Sequence, residues 1–186
     1  MHFSGHGSRQ PAASDDPNQE ADGFDEIFLP RDIGHWNDGT ETVENALVDN
    51  EIAGFIAGLR DNGVFVWLVF NSCHSGDMTR AMPVDGELDR RVDFMDLVAP
   101  DELELGRKAR ERAEASQVRS RGGPVAEPAL GGEINDDADN NEASGGYIAF
   151  FAAQTTETTP EFRLPAGKSP RQSHGLFTFT LMNLLQ

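Results

Sequence analysis

The only cysteine of the chain, Cys73, stands in Asn71-Ser72-Cys73-His74-Ser75-Gly76, three residues after an apolar run ends at Phe70. A thiol becomes a strong nucleophile when a nearby base draws off its proton. The small residues Ser72, Ser75 and Gly76 let a substrate backbone come close and leave peptide N–H groups able to donate. A structural cysteine would rather sit inside the apolar run, beside Val66 or Leu68, where it would be inert. Of the five histidines, His6 in His2-Phe3-Ser4-Gly5-His6-Gly7 has glycine on both sides, which leaves its ring unobstructed. His74 adjoins Cys73, but neighbouring side chains at a strand end point apart, so it is the poorer base. With His6 as base, the N–H groups of Gly7 and Cys73 can point at a developing oxyanion.

Other chemistries fit these residues less well. His2 and His6 are four apart, but HFSGHG cannot form the helix that would turn them into a zinc pair. Six residues separate Cys73 from Arg80, one more than a phosphatase-type loop allows. Asp25, Asp32, Asp49 and Asp77 offer oxygens that suit calcium. They suit plain solubility better, with Asp49 capping a helix.

The elements that must hold these groups follow from patterning. Residues 64–70, VFVWLVF, are β-branched and aromatic without a polar member, which predicts a strand buried on both faces of a parallel sheet. Residues 147–153 predict a second buried strand, and 26–30 a short one closed by Pro30. Residues 43–60 predict a helix with Ile52, Phe55, Ile56 and Leu59 on one face. Residues 101–119 predict a charged, exposed helix, acidic first and basic later. Its run Arg107, Lys108, Arg110 and Arg112 reads as a solvated face, or else as a processing site. An apolar helix spans 176–185. Residues 10–25 and 154–173 read as polar loops, 77–100 as irregular, and the Gly-, Pro- and Asp-rich stretch 120–146 as disordered. Strand, helix and strand in this order give an α/β sheet with right-handed crossovers. Active sites of such sheets form where loops leave the carboxyl ends of the strands.

The 186 residues fit one domain, 1–186, with a polar insertion at about 85–145. A net charge of −17 argues against nucleic acid and against anionic membrane surfaces. The lone thiol can form no internal disulfide. With no visible signal peptide and no stretch long enough to span a bilayer, it points to a cytoplasmic setting. Nothing in the sequence sets the oligomeric state.

HFSGHG at 2–7 followed by NSCHSG at 71–76 resembles the paired motifs of metacaspases and their bacterial relatives. Asp22-Gly23-Phe24-Asp25-Glu26, Leu29-Pro30-Arg31-Asp32 and Asp49-Asn50-Glu51-Ile52 fall where that family carries its supporting segments. The stretch from Ala152 through Glu161 to His174-Gly175-Leu176-Phe177-Thr178 resembles its final strand, loop and helix. The resemblance implies a caspase-like fold: α/β in three layers, a mostly parallel sheet and helices on both faces. Two strands and a helix would precede His6, so the first strands are missing and the fragment is expected to fold poorly alone. It implies a cysteine-type endopeptidase acting on protein or peptide substrates through the dyad His6 and Cys73, with cleavage after basic residues as the preference the family suggests. No cofactor is required, although calcium at Asp25 and Asp49 is implied as a possible regulator. Asn71 and Ser72 become substrate-binding candidates. The family usually carries Asp at position 71, where it binds the Arg or Lys before the cut. An amide cannot pair with a cation as a carboxylate does. A rival reading is a catalytically weak caspase-like module that acts through protein partners.

Overall fold

The computed structural model describes residues 1–14, 22–72, 88–89, 91–120, 145–152, 159–167 and 172–185. Its spine is a parallel sheet of three strands: β1 (His2–Ser4), β7 (Val66–Asn71) and β9 (Tyr147–Phe151), with β7 in the middle. Around it lie antiparallel sets. β2 (His6–Pro11), β3 (Phe24–Leu29) and β6 (Leu47–Val48) form one, β4 (Trp36–Asn37) and β5 (Thr42–Val43) a ribbon. β8 (Leu88–Asp89), β10 (Pro160–Leu164) and β11 (Gln172–Gly175) form another. Three helices complete the described fold: α1 (Asp49–Asp61), α2 (Leu103–Ser120) and α3 (Leu176–Leu184). The parallel sheet is thus present with three strands, while the other described pairings, one isolated bridge apart, are antiparallel.

The core divides about β3. Strand alternation sends Ile27 to one side and Phe28 to the other. Phe28 joins Ile52, Ile56, Val66, Leu68 and Phe70 in a cluster between α1 and the parallel sheet. Its rings touch: Phe28 and Phe70 centroids are 4.9 Å apart, and Phe3 meets Phe28 edge-on at 5.2 Å. Ile27 joins Trp36, Val43, Phe94, Leu97, Val98 and Ala109 in the other cluster.

Several expectations change here. The helix expected over 43–60 begins at Asp49, because 42–43 and 47–48 are drawn into short ladders around a turn with Asn45 at φ 60°. Asp49 is the first helical residue rather than the cap. Val48 takes that place, its N–H donating to Glu51 Oε2 at 3.3 Å. Ile52 and Ile56 are buried as expected, but Phe55 is 58% exposed. The strand at 66–71 is buried on one face only: Val66, Leu68 and Phe70 point inward, whereas Trp67 is 50% exposed. Ile148 on β9 is likewise open. The charged helix at 103–120 packs through Gly106, Ala109 and Ala113, small residues that a search for large apolar side chains misses. Its basic side chains are solvated and paired: Arg107 and Lys108 with Glu104, Arg110 with Glu114, Arg112 with Glu41.

Within 85–145, expected as a polar insertion, Phe94, Leu97, Val98, Ala109 and Ala113 are core residues. The loop expected at 10–25 contains strand residues at both ends, and that expected at 154–173 contains β10 and the start of β11. Most of the stretch expected to be disordered, 121–144, lies outside the described residues. Among the described residues no helix is long and apolar enough to cross a membrane.

Candidate active site

The parallel ladder sets the geometry. His2 pairs with Val69, Phe3 with Phe70 and Ser4 with Asn71, so β1 and β7 run in step to the same end of the sheet. There the Gly5 N–H donates to the Asn71 carbonyl at 3.3 Å. On the other side of β7, the Ala152 N–H donates to the Phe70 carbonyl at 2.9 Å. This is the carboxyl edge, where parallel sheets place their sites.

His6 follows Gly5 at that edge and starts β2, opposite Leu29 of β3. The chain leaves the parallel sheet at Gly5 and enters the antiparallel one, so the His6 side chain is exposed at the junction. Gly7 is buried, and its carbonyl accepts from the Val92 N–H at 3.0 Å. The proposed oxyanion donor is therefore held by a second segment of chain.

Cys73 and its neighbours His74, Asp77 and Arg80 lie outside the described residues. The two residues that lead to Cys73 are described, and both are enclosed. Asn71 is 1% exposed, and its Nδ2 donates to Thr178 Oγ1 of α3 at 2.5 Å. A Cβ at Gly175 would run into the Asn71 amide, so the glycine lets α3 begin against β7. Ser72 is fully buried; its carbonyl accepts from Thr159 Oγ1 at 3.0 Å. Its hydroxyl has no hydrogen-bond partner among the described residues. As a substrate-binding candidate Ser72 thus presents no exposed atom here, whereas Asn71 lines a cavity of about 450 Å³. Ser4, His174, Thr178, Phe179 and Met182 also line it. Sequence reading identified the tail of the chain only as a likeness. The contribution of Thr178 and His174 to this cavity had no local signal, because it depends on α3 folding back on β7.

Asp25 and Asp49, implied as calcium positions, are both buried, on β3 and at the start of α1. The neighbouring Asp22 carboxyl is raised above the ordinary carboxylate range by burial, against the pull of the Phe24 N–H and Arg9. Among the described residues no group of three or more His, Cys, Asp or Glu side chains gathers as a metal site. Calcium takes six to eight oxygens, so two carboxylates by themselves do not make its ligand set.

Part of the chain is similar to known proteins. Residues 1–82 match the family model described as metacaspase, peptidase C14 domain. Metacaspase-2 of Arabidopsis thaliana is 41% identical over 76 residues, which is 41% of this chain and 16% of that protein. Metacaspase-1B of Aspergillus fumigatus is 36% identical over 76 residues, with the same coverage. Metacaspase-1 of Arabidopsis thaliana is 39% identical over 76 residues, 41% of this chain and 18% of that protein. The chain therefore aligns with under a fifth of the length of these relatives. The family-model match over residues 1–82 spans both His6 and Cys73, and over this stretch the chain is similar to the metacaspase, peptidase C14 domain.

Proposed function

We propose that the chain carries the catalytic elements of a cysteine-type endopeptidase, with Cys73 as nucleophile and His6 as base. The observation that supports it most is the β1–β7 register. Ser4 pairs with Asn71 at one end of the sheet, and in the sequence His6 follows Ser4, and Cys73 follows Asn71, by two residues. In the proposed reaction His6 takes the thiol proton and the thiolate adds to the scissile carbonyl. The N–H groups of Gly7 and Cys73 receive the oxyanion. Collapse breaks the C–N bond, and His6 gives its proton to the leaving amine. Water then hydrolyses the thioester and the thiol is restored. Calcium takes no part in these steps.

The test is hydrolysis of a panel of reporter peptides by the chain and by its Cys73→Ala variant, together with labelling by a thiol-reactive peptide probe at neutral pH. The variant should lose hydrolysis while keeping its circular dichroism, because one sulfur at a polar strand end contributes little stability. The parent should label faster than the same chain in denaturant, where the thiol is ordinary. A variant that still hydrolyses the reporters, or a parent thiol no faster than the denatured one, overturns the assignment.

A further inference from the structure

We infer that Thr159 is a positioning residue for the oxyanion site: its hydroxyl sets the peptide unit that carries the Cys73 N–H. The inference rests on the peptidase reading above and adds a residue to its machinery. Thr159 Oγ1 donates to the Ser72 carbonyl at 3.0 Å, across 87 residues of sequence. Both residues are buried, Thr159 at 1% and Ser72 at 0% exposure, so the bond is made in a low-dielectric setting without competition from bulk water. The Ser72 carbonyl belongs to the peptide that joins Ser72 to Cys73. A peptide unit is planar and trans, with its C=O and N–H directed to opposite sides. Whatever holds that carbonyl therefore fixes the axis along which the N–H of the following residue is offered. Thr159 holds the carbonyl, and that N–H is the one assigned above to the oxyanion.

The sequence around Thr159 makes its hydroxyl a fixed post. Pro160 follows it, and a residue before proline is confined to extended backbone. A β-branched side chain is stiff at χ1. The strand that starts at Pro160, β10, is held from both sides. Pro160 and Glu161 pair with Asp89 and Leu88 of β8, and Glu161 to Leu164 pair with Gly175 to Gln172 of β11. β7 is fixed as well, by its ladders to β1 and β9 and by the bond from Asn71 to Thr178 of α3. The Thr159–Ser72 bond thus joins two anchored strands one residue before Cys73 in the sequence. A bond that only closed the fold would show in stability alone. A bond that aims an N–H shows in the steps that build an oxyanion.

The experiment compares the parent with Thr159→Val, which keeps the shape and removes the hydroxyl, and with Thr159→Ser, which keeps the hydroxyl. On the reporter peptide that the parent hydrolyses best, Thr159→Val should lower kcat by about 10–10²-fold with KM near the parent value, because the loss falls on a group used in the transition state. Thr159→Ser should recover most of the rate. A peptide aldehyde adds to the thiol, its carbonyl carbon bonding to sulfur and the thiol proton passing to its oxygen, which then sits where the oxyanion forms. Its affinity should fall in Thr159→Val by a similar factor. Iodoacetamide alkylates the thiolate by displacing iodide and builds no oxyanion, so its rate constant at the single cysteine should be the same in all three chains. Thr159→Ala, which also lacks the hydroxyl, carries the same readings where thermal melts show Thr159→Val unfolded. A hydroxyl-free variant with the parent's kcat and aldehyde affinity overturns the inference and leaves the peptidase reading standing. So does an iodoacetamide rate that falls together with kcat, since the thiol itself is then displaced, and so does a Thr159→Ser no faster than Thr159→Val. A parent that hydrolyses no reporter and takes up no aldehyde overturns the peptidase reading, and this inference with it.

Discussion

A histidine at the end of one strand and a cysteine after the end of its parallel neighbour make a dyad only if both chains leave the sheet at the same edge. The Ser4–Asn71 pairing meets that condition for the segments that lead to them. The His6 side chain is exposed at the junction of β1 and β2 and supports no core. His6→Gln should therefore leave the melting temperature unchanged while kcat falls by about 10²–10⁴, the usual contribution of a positioned acid–base group. Parallel thermal melts and reporter kinetics read the two effects apart; a loss of stability equal to the loss of rate would make His6 structural. Elsewhere a single side chain ties three segments. Glu41 accepts the Ser14 N–H at 2.8 Å and its hydroxyl at 2.7 Å, and Arg112 of α2 reaches it at 3.1 Å. The Ser14 N–H above all, then its hydroxyl and the Arg112 charge hold the Glu41 carboxyl below the ordinary range. A folded pKa below the unfolded one stabilises the fold at pH above the unfolded value, and this is lost as pH falls through the folded one. Glu41→Gln should thus be less stable than the parent at neutral pH, by at most about 1 kcal/mol for so exposed a group. The two should converge in acid, in urea titrations at a series of pH values; a gap that widens in acid would contradict the sign.

At the scale of elements, the sequence was clear wherever the pattern was local. The apolar run through Phe70, the Ile52–Ile56 face and the Gly63 stop at the end of α1, with φ 73°, all lie in the chain as periodicity and punctuation. The two motifs were legible for the same reason, as short runs of small residues at strand ends. What escaped depends on distant partners. The short strands β5 and β6 exist because β4 and β3 pair with them, and the helical pattern over 43–48 yields to those ladders. The cavity beside Asn71 requires α3 to fold back across β7, a contact between residues 107 apart in sequence. The packed side of α2 was hidden by its smallness. Gly106 sits so close that a Cβ there would strike the Val98 side chain, and Ala109 is wholly buried. This close approach makes a prediction. Ala109→Leu forces extra methylenes into a filled interface and should cost about 1–3 kcal/mol in denaturant melts. Ala115 is on the same helix with no place in the buried set, and Ala115→Leu should change stability by no more than about 0.5 kcal/mol. Equal effects at the two positions would mean that α2 does not pack through its small residues.

At the scale of the whole molecule, the parallel sheet has one filled face and one open one among the described residues. Val66, Leu68 and Phe70 stand against α1 and Phe28. On the reverse, Trp67 is 50% exposed and Ile148 42%, with Phe65 at the strand entry 65% exposed. The Trp67 and Phe150 rings lie 6.1 Å apart across β7 and β9, so the exposed groups adjoin one another. Met182 and Leu184 of α3, and Leu185 just after it, are each more than half exposed as well. An apolar patch of this kind favours association in water. The net charge of −17 opposes it, because like-charged molecules repel. Salt weakens that repulsion, with a screening length that falls from about 30 Å at 0.01 M to about 3 Å at 1 M. Association of the chain should therefore rise with ionic strength, the reverse of what charge pairing between molecules would give. Trp67→Thr keeps a β-branched residue in the strand and removes the largest exposed ring. It should abolish most of the salt-induced light scattering while changing the midpoint of urea unfolding little, since a half-exposed side chain contributes only part of its burial energy. Scattering that falls as salt is added, or that is unchanged in Trp67→Thr, would place the sticky surface elsewhere.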